Sequence, residues 1–274
     1  MTGTQSLATV HGYDHADHYA KYFSGVVDSP TYVWHYDALG RLVGRTKVSG
    51  SGGAADVRMY FDGEHDIEVV QWDGSAESHR KTRVYGDRID ELLEYTDVSA
   101  DPDDVYYAHT DMLGSIQVMA DDTGAIAESY RYSDWGETQV VDGSFAKLGN
   151  LGSNIGNFIR YTARERAIMA TVGDDWYFYR ARMYRPDAGR FGQRDPLTHI
   201  DGANLYAYVV SSPVLLKDPM GLFVATEDPL YYEDCMAACL PNPIAFDLNS
   251  DIAFFDCLNS YTEAQCFADH NYID

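Results

Sequence analysis

The last 52 residues hold no lysine and no arginine, and no cysteine occurs before Cys235. Nor does any apolar run approach the roughly 20 residues that a membrane helix needs. The first twenty residues (MTGTQSLATVHGYDHADHYA) lack the basic start and apolar core of a secretory signal. If the chain is exported, it is expected to leave by another route or as part of a longer polypeptide. Basic residues are scarce throughout: 20 Lys and Arg face 43 Asp and Glu, a net charge of −23. Nucleic acid is excluded as a partner on that balance, because phosphates demand cations. Ten of the acidic residues lie in 223–274, so composition breaks close to Leu222. That terminal span is also a poor nuclease, having no cation to meet a phosphate.

What the sequence does have is 22 tyrosines and 23 glycines, with short aromatic runs punctuated by Gly, Asp and Ser. This composition favours a mainly β, antiparallel, repeat-rich architecture. Residues 1–30 are polar and weakly patterned. His11, His15 and His18 with Asp14 and Asp17 have a spacing that could hold a metal on one helical face, but a solvated terminus explains them better. From Tyr32, TYVWHYDALGRLVGRT alternates Tyr32, Trp34 and Tyr36, turns at Asp37–Gly40, and returns. Asp37 can bond its own turn backbone and Gly40 can take positive φ.

After the SGSGGAA linker at 49–55, strand pairs are expected at 57–61 with 67–72, then at 81–85, with Asp-Gly and Gly-Asp corners. Three more are expected at 105–109, 115–120 and 125–132, turning at Gly114, Gly124 and Gly136. His109 close to Asp111 could be drawn as a catalytic pair, but a turn contact suits the repeat equally well.

The densest stretch runs from Tyr177 to Leu222. Residues 177–184 alternate as one strand would. Pro186, Asp187 and Gly189 form a turn, and 205–210 with 214–216 read as a hairpin around Ser211-Ser212-Pro213. Asp195-Pro196 and Asp218-Pro219 stop the segments before them. Each Asp follows a cation, Arg194 or Lys217.

This stretch resembles the core-associated region that closes the YD-repeat shell of rearrangement-hotspot (Rhs) proteins and of toxin-complex C components. The matching pieces are YRARMYRPDAGRF, RDPL, the run Gly202–Tyr208, Ser212-Pro213-Val214 and the terminal DPMGL. Tyr36-Asp37 followed by Gly40-Arg41 is similar to a YD repeat, and 106–138 resembles the last shell repeats. Phe158–Glu165 is similar to a segment that often contains Thr-Gly-Arg-Glu, with Ala163 in the glycine position, so the backbone there is expected to differ.

The resemblance implies a β-sheet shell that cuts itself after the DPxGL leucine, here between Leu222 and Phe223. It also implies catalysis by Asp195 and Asp218, with Arg194 beside Asp195 matching an Arg-Asp pair needed for the cut. An aspartyl cut needs two carboxylates that share a proton, one activating water and the other protonating the scissile amide. On spacing alone both Asp-Pro pairs are better explained as turn formers, and Asp201 is a weaker third candidate.

The expected organisation is a polar segment at 1–30, a YD-repeat sheet at 31–142, a core-associated region at 143–222, and an acidic cysteine-bearing tail at 223–274. The tail reads as a small, largely helical unit. Cys235, Cys239, Cys257 and Cys266 are disulfide candidates whose pairing the sequence leaves open, with zinc as the competing use. No cofactor or metal is expected for the cut. Expected partners are the remaining shell repeats or a B-type shell protein, with the tail as cargo and a secreted or cell-surface destination. The competing readings are a non-catalytic β-repeat scaffold or adhesion module, and a truncated shell end without activity.

Overall fold

Two-residue alternation and short turns build the molecule. The computed structural model describes residues 9–13, 19–24, 32–37, 41–47, 56–72, 75–98, 103–148, 152–168, 175–197, 203–222 and 224. The chain divides after Val224 into two units, of which only the first is described. Among the described residues, twelve strands form one sheet in chain order, each antiparallel to the next. They are β1 (Thr9–Tyr13), β2 (Tyr19–Ser24), β3 (Tyr32–Tyr36), β4 (Leu42–Lys47), β5 (Asp56–Asp62) and β6 (His65–Trp72). There follow β7 (Glu77–Tyr85), β8 (Leu92–Asp97), β9 (Asp104–Thr110), β10 (Ile116–Asp121), β11 (Ile126–Tyr132) and β12 (Thr138–Asp142). A second sheet contains β13 (Glu165–Ile168), β14 (Asp175–Tyr179), β15 (Arg182–Arg185) and β16 (Arg190–Phe191), also in order. No helix among the described residues is long and apolar enough to cross a membrane.

One turn recurs between the large sheet's strands. At Asp111, Asp121 and Asp142 the side-chain Oδ1 accepts the N–H groups two and four residues on. Backbone bonds close the same loops, from Asp111 N to Ser115 O and from Gly114 N to Asp111 O, with equivalents at Asp121 and Asp142. Asp37 makes the corresponding bonds to Arg41. Such an aspartate supplies acceptors that a tight corner cannot find on its own backbone. The fourth position takes positive φ: Gly114 at 87° and Gly124 at 83°, but Phe145 at 63°.

The small sheet is buried on both faces. Trp176 and Met183 pack with Trp34, Leu42 and Met59 of the large sheet. Tyr177, Tyr179 and Tyr184 face the other way, into an aromatic cluster with Tyr161, Phe191 and Tyr208. The period-two alternation of β14 thus serves two cores at once.

Three expectations need correction. Residues 9–13 and 19–24, read as weakly patterned terminus, pair as β1 and β2; His11 lies in β1, and the rest of that histidine cluster falls outside the described residues. The alternating run 177–184 is a hairpin rather than one strand, pairing Tyr179 with Arg182 across Arg180-Ala181. Arg180 takes φ 49° there, a conformation that its residue type does not advertise. The segment 205–216 is not a hairpin either. Residues 209–211 all take positive φ, and Ser211, Ser212, Leu215 and Leu216 close consecutive turns. Its strand-like residues gain depth instead of a ladder, Tyr208 and Val209 both being buried in the aromatic cluster. Ala163 has φ 56°, a left-handed conformation that glycine adopts without a Cβ penalty.

Candidate active site

Asp195 and Asp218 converge on one side chain. Arg182, the first residue of β15, sets one terminal nitrogen 2.9 Å from Asp195 Oδ2 and the other 3.2 Å from Asp218 Oδ2. All three residues are buried. Arg182 lies over the Phe191 ring, 3.7 Å from its centroid, and its Nε donates to the Gly221 carbonyl at 2.5 Å. One planar fork therefore addresses two carboxylates and a peptide oxygen, a geometry that lysine's point charge does not offer.

Each carboxylate also keeps its turn role. Asp195 Oδ1 accepts the Leu197 N–H at 2.8 Å, and Asp218 Oδ1 accepts the Leu222 N–H at 3.0 Å. Turn formation and participation in a charged site are thus compatible, because they use different oxygens. Asp195 is brought in by pairing with the 205–207 segment: its N–H donates to Leu205 O, while Phe191 N–H donates to Tyr206 O. Burial pushes the Asp195 carboxyl above the ordinary value, outweighing the Arg182 charge and the Leu197 hydrogen bond.

The segment Asp218–Leu222 is held residue by residue. The Pro219 carbonyl accepts from Arg180 at 2.6 Å and from Arg164 at 3.3 Å. Met220 O accepts the Ala181 N–H at 3.1 Å, and Gly221 O is the acceptor for Arg182. Three consecutive carbonyls are thereby fixed against the β14–β15 turn, as a bound peptide's would be. Gly221 is dictated twice over. Its φ is 67°, and an added Cβ would press into the Tyr179 carbonyl oxygen.

Arg194 is not part of this arrangement. It is exposed, while its neighbours Gln193 and Asp195 are buried. Successive side chains of an extended segment point to opposite sides, so an inward Asp195 sends Arg194 outward. The guanidinium at the carboxylates is Arg182, twelve residues before Arg194; its alternation with aromatics marked it only as a strand residue. Its signal was faint: a cation alternating with aromatics in a buried strand. Asp90, Arg164 and Arg180 were missed because they lie in or beside turns with no charge motif of their own. Asp111 gives its oxygens to Leu113, Ser115 and Gln117, while His109 is exposed; a turn role accounts for the aspartate. Phe223, Asp201 and the four cysteines lie outside the described residues.

Comparison with known proteins adds context to this geometry. No family model matches the chain. The toxin subunit YenC1 of Yersinia entomophaga is 32% identical over 132 residues, 48% of this chain and 12% of that protein. The toxin protein Tse5 of Pseudomonas aeruginosa is 46% identical over 48 residues, 18% of this chain and 4% of that protein. The crystal structure of TcdB2-TccC3 superposes with a TM-score of 0.62 at 21% identity, covering 78% of this chain and 10% of that one. The chain resembles toxin proteins. It spans about a tenth or less of the length of these relatives, and the likeness to TcdB2-TccC3 is one of fold.

Proposed function

We propose that this chain is the closing part of a YD-repeat shell in which residues 218–222 are an internal substrate, cut once between Leu222 and Phe223. The observation that carries the reading is Arg182, which joins Asp195 and Asp218 while gripping the Gly221 carbonyl one residue before the expected cut. Two carboxylates against one guanidinium leave one excess negative charge, which a single proton neutralises. Asp195, whose burial raises its pKa, is the member that carries it. Ionised Asp218 takes a proton from water as the water oxygen bonds to the Leu222 carbonyl carbon. Asp195 then gives its proton to the Phe223 nitrogen as the C–N bond breaks, leaving a Leu222 carboxylic acid, which ionises in water, and a free Phe223 amine.

In this reading residues 223–274 are the released cargo, and the partners are further shell repeats or a B-type shell protein. Similarity to toxin subunits supports a toxin-delivery setting, and a secreted or cell-surface destination belongs to the same reading. No cofactor takes part. A scaffold role is the second reading, supported by the Asp195 and Asp218 bonds to Leu197 and Leu222, which a simple turn former would also make.

Intact-mass measurement separates the two. The cleavage reading expects wild-type protein to yield 1–222 and a fragment beginning at Phe223, and Asp195→Asn or Asp218→Asn to remain whole. Wild-type protein still intact after long incubation leaves the scaffold or a shell end without activity.

A further inference from the structure

A second buried charge cluster touches the same segment and has no part in the chemistry just described. Asp90 lies in the turn between β7 and β8 of the large sheet, 3% exposed and with φ 64°. Its carboxylate meets Arg164, which follows the turn at Tyr161–Ala163, and Arg180, from the β14–β15 turn, at 2.8 Å. Both guanidiniums donate to the Pro219 carbonyl. Arg180 also reaches Glu64 of the β5–β6 turn, with its Nε 3.2 Å from the carboxylate. The Asp90 N–H donates to His65 Nε2 at 3.2 Å, and the His65 ring stacks on Tyr85 at 4.3 Å.

Two buried guanidiniums do not share one carbonyl oxygen unaided, because their repulsion and desolvation have nothing to offset them. Asp90 supplies the offset. Yet it belongs to the large sheet, whereas both arginines come from the region that carries the site. The grip on Pro219 therefore exists only when the β7–β8 turn is folded and docked. Pro219 and Gly221 are two residues apart on one short segment, so releasing the first displaces the second from Arg182.

We infer that Asp90 is a positioning residue that interlocks the large sheet with the 218–222 segment, so that the segment is seated for cutting only after the sheet has formed. The inference rests on the cleavage reading for its consequence, but the grip itself can be tested independently. The test is Asp90→Asn, since asparagine tolerates positive φ and the turn loses only its charge.

Cleavage is expected to slow at least about tenfold, as displacement on the ångström scale does at other active sites. Its pH midpoint should stay unchanged, which separates positioning from proton transfer. In the uncleavable Asp195→Asn background, Asp90→Asn should speed amide exchange at Ala181, Gly221 and Leu222 while the amides of β10 keep their protection. Wild-type rates and unchanged exchange in Asp90→Asn overturn the interlock. If that variant loses cooperative unfolding, Arg180→Lys gives the same reading, because a single ammonium cannot span Asp90 and Pro219 as the fork does. Should wild-type protein never cut, the cleavage reading fails, and the exchange measurement still decides whether Asp90 governs the segment.

Discussion

The two charge clusters on the 218–222 segment are opposites in composition. Around Arg182 there are two carboxylates to one guanidinium; around Asp90 there are two guanidiniums to one buried carboxylate, with Glu64 meeting Arg180 from the exposed side. Burial pushes both Asp195 and Asp90 toward protonation. At Asp195 it prevails over one arginine, and the carboxyl is raised. At Asp90 it is overcome by Arg164 and Arg180 together, and the carboxyl is lowered. The count of neighbouring cations, with burial common to both, decides which carboxyl can exchange a proton and which is a fixed anion. The first cluster is fitted for chemistry and the second for holding.

The comparison breaks most severely at its centre. Arg182→Gln leaves Asp195 and Asp218 buried without their cation, expected to destabilise by about 3–5 kcal/mol and to abolish cutting; chemical denaturation and intact mass read the two effects. A variant that keeps both stability and cutting would remove Arg182 from the site.

The pH response sharpens the contrast, because the two aspartates have opposite signs. Asp90, with a lowered folded pKa, contributes stability above the ordinary carboxyl value and loses it as pH falls through the depressed one. Asp195, with a raised folded pKa, contributes most below the ordinary value, and that contribution disappears as pH rises through the raised one. Denaturation of Asp90→Asn should therefore converge on wild type as pH falls below the ordinary carboxyl range, whereas the cut itself should slow as pH climbs past the Asp195 value. An alkaline optimum for cutting contradicts the proton assignment.

Arg194→Gln, the exposed cation beside Asp195, is expected to shift stability by no more than about 0.5 kcal/mol and to leave cutting unchanged. Away from both clusters, Phe145→Gly relieves an exposed side chain of positive φ and should add up to about 1 kcal/mol by thermal or chemical unfolding.

Much of the β architecture could be read from the chain. Asp-Gly and glycine corners located β5, β6, β9, β10 and β11, and at Gly114 and Gly124 the structure completes the corner with a cap from Asp111 or Asp121. β8 (Leu92–Asp97) escaped because its buried Leu92, Tyr95 and Thr96 do not alternate. The hairpin at Arg180-Ala181 escaped because neither residue is a turn former; its conformation is held from outside, by Asp90 on the arginine and by Met220 O on the Ala181 N–H. The two aspartates were legible as Asp-Pro corners, but their shared cation was not. A run with arginines at 180, 182 and 185 does not declare which are buried or which carboxylate each one meets.

By itself the sequence determined the local grammar: which residues alternate, where aspartate caps a corner, where glycine must take positive φ, and that charge and cysteine change character near Leu222. Those features depend on neighbours within about five residues. Tertiary structure alone decided that Asp195, Asp218 and Gly221 meet on Arg182, and that Asp90 reaches Pro219 through two arginines that flank strands of the other sheet. A buried charge is tolerable only beside its counter-charge, and the partner it finds is set by how two sheets pack rather than by spacing along the chain.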